Sequence, residues 1–138
     1  MRLGTQEIAY LNVFQNVSKT LAKDCIYNEQ MISFVVPKGQ MGLAIGKQGI
    51  NIKKLRELLN KNIELFEYQK NAEGFVKNAF PNAAISEIRL MEEEGKKTVV
   101  IAADAENRRK ILINGAKIKR LKELAKRNYG VDDIQIGK

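Results

Sequence analysis

Histidine and tryptophan are absent from this 138-residue sequence, and Cys25 is its only cysteine. One cysteine excludes an intramolecular disulfide, and without histidine no ordinary zinc cluster can be assembled. The usual general base at neutral pH is missing too, so Cys25 has no imidazole to activate it and reads as a small core residue. A reducing cytoplasm suits that usage. No uncharged stretch approaches the ~20 apolar residues of a membrane span. Met1 to Tyr10 carries Glu7 and no apolar run, so no signal peptide is expected there. No spaced carboxylate pair stands out, so the sequence points away from an enzyme, a metal, a cofactor or a small-molecule substrate.

What is present is positive charge. Lys and Arg number 24 against 16 acidic residues, a formal net charge of +8. Such a field favours polyanions and speeds their encounter, although it also serves plain solubility. The length suits one domain or two of roughly 65–70 residues.

Helical spacing of Ile8, Leu11, Phe14, Val17 and Leu21 predicts a helix from Thr5, as N-cap, to about Lys23. A weak strand is expected over Asp24–Glu29, then a turn and a firmer strand at Met31–Val36. Pro37-Lys38-Gly39 ends it. A short helix over Gln40–Ile45 follows, then a break at Gly46–Gly49. A second helix, Ile50–Asn60, turns Ile52, Leu55, Leu58 and Leu59 inward, and a strand follows over Ile63–Tyr68.

The remaining chain repeats this order. Helix Asn71–Phe80 is followed by strands at Ser86–Leu90 and Thr98–Ala103, and by helices at Glu106–Ile113 and Ala116–Asn128. A strand at Asp133–Gly137 closes the chain. At an offset of 66, Gly49, Ile52, Leu55 and Leu58 fall on Gly115, Ile118, Leu121 and Leu124. Two modules are therefore expected, 1–69 and 70–138, each α-β-β-α-α-β. A joint near Gln69-Lys70-Asn71 without Gly, Ser or Pro implies rigid packing of the two.

Leu43-Ala44-Ile45-Gly46-Lys47-Gln48-Gly49-Ile50-Asn51-Ile52 is the most informative segment. Two glycines around two polar residues join two helices, so a nucleic-acid backbone can approach closely. The helix after Gly49 offers free N–H groups and its positive end, Lys47 adds a mobile cation, and Gln48 adds a neutral donor. This is the chemistry of a GxxG phosphodiester clamp. The plainer alternative is a tight corner with glycines serving as cap and turn. A nucleotide-hydrolysing P-loop does not fit: Gly42 and Gly46 are three residues apart, and Gln48 replaces the hydroxyl after the lysine.

Basic residues gather around this loop (Lys38, Lys47, Lys53, Lys54, Arg56, Lys61). They are denser in the second half (Arg108, Arg109, Lys110, Lys117, Lys119, Arg120, Lys122, Lys126, Arg127), where many are ordinary solvated faces. Those nearest the loops, Lys47, Lys53, Lys54, Lys117 and Lys119, are the candidate strand contacts. Acid collects at Glu92-Glu93-Glu94. Phe34, Phe66, Phe75 and Phe80 fit core positions, Tyr68 and Tyr129 read as partly buried, and no exposed aromatic platform for base stacking is evident.

Val36-Pro37 through Asn51 resembles the KH segment of the NusA transcription termination and antitermination factors. The whole chain is similar to the short archaeal NusA-like proteins. The resemblance implies an α+β chain of two tandem type II KH domains, each a three-stranded sheet with helices on one face. It implies binding of single-stranded RNA in transcription termination or antitermination, and RNA polymerase or the elongation complex as a further partner. Bacterial relatives make that polymerase contact through an N-terminal domain with no counterpart here. The clamp maps onto Gly46, Lys47, Gln48 and Gly49, with Ile45 and Ile50 lining the groove and Asn51, Lys53 and Lys54 beside it. In the second module the same offset gives Leu112-Ile113-Asn114-Gly115. Leu112 replaces the first glycine, so this loop is expected to clamp poorly, while Asn114, Gly115, Lys117 and Lys119 still face a shared groove. The alternative is a loop slipped by a residue or two. A ribosomal or RNA-processing role, or a protein-interaction module, would use the same architecture.

Overall fold

The computed structural model describes residues 4–137; Met1 to Leu3, at the start of the segment examined for a signal peptide, and Lys138 lie outside it. The chain divides into two compact units, Met1–Tyr68 and Gln69–Lys138.

In the first unit, helix α1 spans Thr5–Ser18 and buries Tyr10 and Phe14. Its N-cap is Gly4 in an extended conformation, so Thr5 is the first helical residue rather than the cap. The helix stops well before Lys23. Ser18 Oγ donates to the Phe14 carbonyl at 2.7 Å, and Lys19 turns left-handed at φ 60°. A hydroxyl bonded back to the preceding turn, followed by a left-handed residue, ends a helix without Gly or Pro. Ile8 and Leu21, expected inside, are exposed, and Tyr10 takes the inward place.

Strand β1 (Asp24–Tyr27) pairs antiparallel with β2 (Met31–Val36), and β2 pairs parallel with β3 (Asn62–Glu67). Asn28 Oδ1 accepts from the Gln30 and Met31 N–H groups and so shapes the β1–β2 turn. The β2–β3 crossover carries α2 (Met41–Ile45) and α3 (Ile50–Leu59). Tyr10, Phe14, Ala44 and Leu55 pack on the sheet face that presents Cys25, Ile32, Phe34 and Val36. The Phe14 and Phe34 rings stack at 4.4 Å. Leu58, read as inward, is 59% exposed, so the buried stripe of α3 narrows to Ile52, Leu55 and Leu59.

The second unit has the same element order. Helix α4 (Ala72–Asn78) is capped by Asn71, whose Oδ1 accepts from the Gly74 N–H. Strands β4 (Glu87–Glu93) and β5 (Lys96–Ala102) form a hairpin through Glu94-Gly95, both at positive φ, the pattern of a two-residue turn matched to strand twist. After α5 (Ala105–Leu112) and α6 (Gly115–Tyr129), β6 (Asp133–Gly137) returns parallel to β5. Phe75, Val76, Val99, Ile101, Ile111, Leu121 and Leu124 are buried. The half-buried Tyr129 hydroxyl donates to the Gln69 carbonyl and accepts from the Gln69 N–H. Among the described residues, no helix is long and apolar enough to cross a membrane.

Candidate nucleic-acid interface

The corner between α2 and α3 owes its shape to backbone that only certain residues adopt. Gly46 sits at φ 79°, ψ 166°, a region essentially restricted to glycine. Gln48 (φ 57°) and Gly49 (φ 75°) are left-handed. Three such residues in four fold residues 46–49 into a tight 3-10 turn closed by Gly49 N–H donating to Gly46 O at 3.1 Å.

The two glycines answer to different constraints. A Cβ on Gly46 would lie 2.7 Å from Asn51 Nδ2 and 3.1 Å from the Asn51 backbone nitrogen. Asn51 covers that spot while donating from Nδ2 to the Leu43 carbonyl at 3.2 Å. Gly46 is thus required by the chain itself, and Asn51 braces the corner. A Cβ on Gly49 would meet nothing within 4 Å. Beside Gly49 lies open space through which an outside chain can reach bare backbone.

Gly49 is also the N-cap of α3, and no side chain caps that helix start or places an acid in its first turn. The Gly49 and Ile50 N–H groups donate to the Gly46 and Lys47 carbonyls within the 3-10 turn, so an anion would meet the later first-turn donors and the positive end of the dipole. Lys47 and Gln48 are exposed at the tip, and Lys53 and Lys54 are exposed one turn into α3. Ile45 and Ile50 stand partly in solvent on either side. So do Leu43 and Leu58, which periodicity assigned to no site.

At the second corner the construction differs. Helix α5 runs to Leu112 and α6 begins at Gly115, so only Ile113 and Asn114 connect them. Residues 112–115 still stand opposite 46–49 at the offset of 66, but α5 and α6 each run one residue further inward, so two connecting residues replace four. Neither Ile113 (φ −61°) nor Asn114 (φ −106°) is left-handed, and Gly115 lies within the helix. Asn114 Oδ1 accepts from the Lys117 N–H and caps α6, whereas α3 has no side-chain cap at its start. The Lys117 ammonium sits 5.3 Å from the centroid of the Phe80 ring. Lys119 is exposed. Leu112 is 51% and Ile113 83% exposed, so the tip is apolar where the first corner is cationic.

Part of the second unit's positive charge is balanced locally: Lys122 pairs with Asp133 and Lys126 with Asp132. The backbone N–H of Lys97 and the Lys126 ammonium hold the Asp132 carboxyl below its ordinary value. Burial pushes Asp133 up, but hydrogen bonds from Lys122 and the Ile134 N–H, with the charge of Lys122, bring it below the usual range. Asp104, the N-cap of α5, is lowered chiefly by the backbone N–H and side-chain amide of Asn107.

A sheet braced on one face by three helices, with a glycine-flanked corner open at a helix start, defines a KH-domain protein. The KH domain family matches residues 9–89. A probable transcription termination protein NusA from Halobacterium salinarum is 33% identical over 99% of this chain and 98% of its own length. Its namesake from Methanocaldococcus jannaschii is 28% identical over 99% of this chain and 75% of its own. A crystal structure described as that of APE1850 superposes with a TM-score of 0.88 at 35% identity, over 98% of this chain and all of that one. The chain belongs to the NusA-like family of KH-domain proteins.

Proposed function

We propose that this chain binds single-stranded RNA, without catalysis, in transcription termination or antitermination in the cytoplasm, and that residues 46–49 are its clamp. One observation carries the reading. The space beside Gly49 is empty at an uncapped helix start flanked by the exposed Lys47 and Gln48. A phosphodiester strand there would meet backbone N–H groups, a helix dipole and mobile cations, while its bases reach Ile45, Ile50 and the Lys53–Lys54 face. The names of the relatives support the transcription role.

We infer further that the second unit is a second type II KH module. Its element order and its pattern of an antiparallel hairpin with a parallel third strand repeat those of the first. Its short, capped corner favours a different use. The exposed Leu112 and Ile113 are suited to a protein surface, RNA polymerase or the elongation complex being the partner the family suggests.

The clamp is tested by the double substitution Lys47→Asp, Gln48→Asp. Both side chains are exposed, and Asp tolerates the left-handed backbone of residue 48. RNA affinity should fall by about tenfold or more, with circular dichroism and the melting temperature unchanged. Undiminished affinity in the folded variant refutes the clamp.

A further inference from the structure

We propose that the first unit holds a second RNA subsite, a nucleobase pocket at the far end of α3, selective for guanine over uracil. The proposal rests on the RNA-binding reading above and extends it beyond the clamp.

The pocket lies where the C-terminal half of α3 meets the β1–β2 turn and the start of β3. Its cations are Lys53, Arg56 and Lys61, and its acids are Glu29 and Glu57. Amides from Gln30, Asn60 and Asn62 complete the lining, with no apolar side chain among them. An all-polar wall does not suit a lipid or an aliphatic ligand. Two carboxylates among three cations also make a poor phosphate cradle, where like charge would repel the anion. The composition suits a neutral heterocycle that both donates and accepts hydrogen bonds.

The rim is fixed before any ligand arrives. Asn62 N–H donates to the Gln30 carbonyl at 2.9 Å, tying the β3 start to the turn. Gln30 N–H donates to Asn28 Oδ1, and the Lys61 ammonium donates to the Asn28 carbonyl. Asn60 is locked left-handed at φ 53° as the C-cap of α3. Fixed walls lower the ordering cost of binding.

Continuity with the clamp comes through Lys53. It stands exposed one turn after Ile50 on α3 and also lines the pocket, so the two sites share one flank of α3. From Ile50 to Asn60 the helix rises about 15 Å, a span that an extended strand held at Gly49 can follow. RNA-binding modules read splayed bases on their Watson–Crick and Hoogsteen edges. Guanine offers two adjacent donors that a carboxylate of Glu57 or Glu29 can accept together, and two acceptors for the Arg56 fork. Uracil offers one donor between two carbonyls and leaves a carboxylate unmatched.

The test uses the full chain and two oligonucleotides of about eight residues, twice the four that a GxxG loop clamps. One is all uridine, and the other carries one guanine at successive positions. Backbone amide shifts are followed at Gly46–Gly49 and at Gln30, Asn60 and Asn62. Guanine at one position should raise affinity by about tenfold and shift the pocket amides. The substitutions Arg56→Gln and Glu57→Gln, both on exposed side chains, should abolish that gain and leave the all-uridine affinity within about twofold. Shifts at Gly46–Gly49 without shifts in the pocket, or a guanine gain that survives the double substitution, overturn the pocket alone. Absence of shifts at both places overturns the pocket and the clamp together.

Discussion

Gly46 and Gly49 look alike in sequence, and the structure predicts that alanine at each fails in a different way. Gly46→Ala places a side chain at φ 79°, ψ 166°, which costs on the order of 1–3 kcal/mol by itself. Its Cβ also meets Asn51 Nδ2 at 2.7 Å, so the Asn51 side chain must leave its hydrogen bond to Leu43, at roughly 1 kcal/mol. The backbone nitrogen at 3.1 Å cannot move aside. The expected loss is about 2–4 kcal/mol of first-unit stability. Gly49→Ala adopts an ordinary left-handed conformation into open space, and should cost about 1–2 kcal/mol. For RNA the ranking reverses. The new methyl on residue 49 stands where a strand must approach, so the folded Gly49→Ala protein should lose affinity out of proportion to its small loss of stability. Urea denaturation of both variants, with RNA titration by fluorescence anisotropy well below their transitions, measures the two effects. A double-mutant cycle adds the Asn51 contact: Asn51→Ala, which should cost about 1 kcal/mol by itself, should cost close to nothing in the Gly46→Ala background, where its hydrogen bond is already lost. If Gly49→Ala destabilises as much as Gly46→Ala, or Asn51 shows no coupling to residue 46, the division of labour between the glycines is wrong.

Lys47→Gln should flatten the logarithmic salt dependence of RNA binding by about 0.7, the share of one phosphate contact on a single strand, in titrations from low to high potassium chloride. Leu55→Ala should destabilise the first unit by about 2–5 kcal/mol, whereas Leu58→Ala, three residues on and largely in solvent, should stay within about 0.5 kcal/mol in the same denaturant series. Asp104, Asp132 and Asp133 titrate below 3.8 in the folded chain, so their contribution is complete above that pH and is lost as pH falls through their lowered values. Asp104→Asn, which keeps the cap and removes the titration, should flatten the acid limb of the pH–stability curve, and an unchanged acid limb would discount Asp104.

The β-branched and aromatic content of Met31–Val36 predicts the strand that forms over those residues, and a strand also forms over the expected Asp133–Gly137. Helix α1 is overrun in the prediction because its stop signal is a serine hydroxyl bonded back to Phe14, and a serine in a periodic run looks like any polar residue. Leu58 continues the apolar spacing of α3 yet faces outward, since periodicity gives a direction and not the width of what covers it. The glycines of the first corner are legible as a motif; that Asn51 occupies the space over one of them is not, because it depends on where the chain folds back. At the second corner the residue count is unchanged, but helix extends over the positions that match Gly46 and Gly49, and a residue-by-residue offset cannot detect that change. The Asn114 cap is the trace it leaves in sequence.

The crossover between β2 and β3 has a mechanical consequence. The connection bearing the corner leaves β2 at Val36 and enters β3 at Asn62, opposite ends of a parallel pair held in register from Met31↔Asn62 to Val36↔Glu67. A load on anything gripped at the corner therefore enters this ladder at both of its ends, and fraying at one end does not free the other.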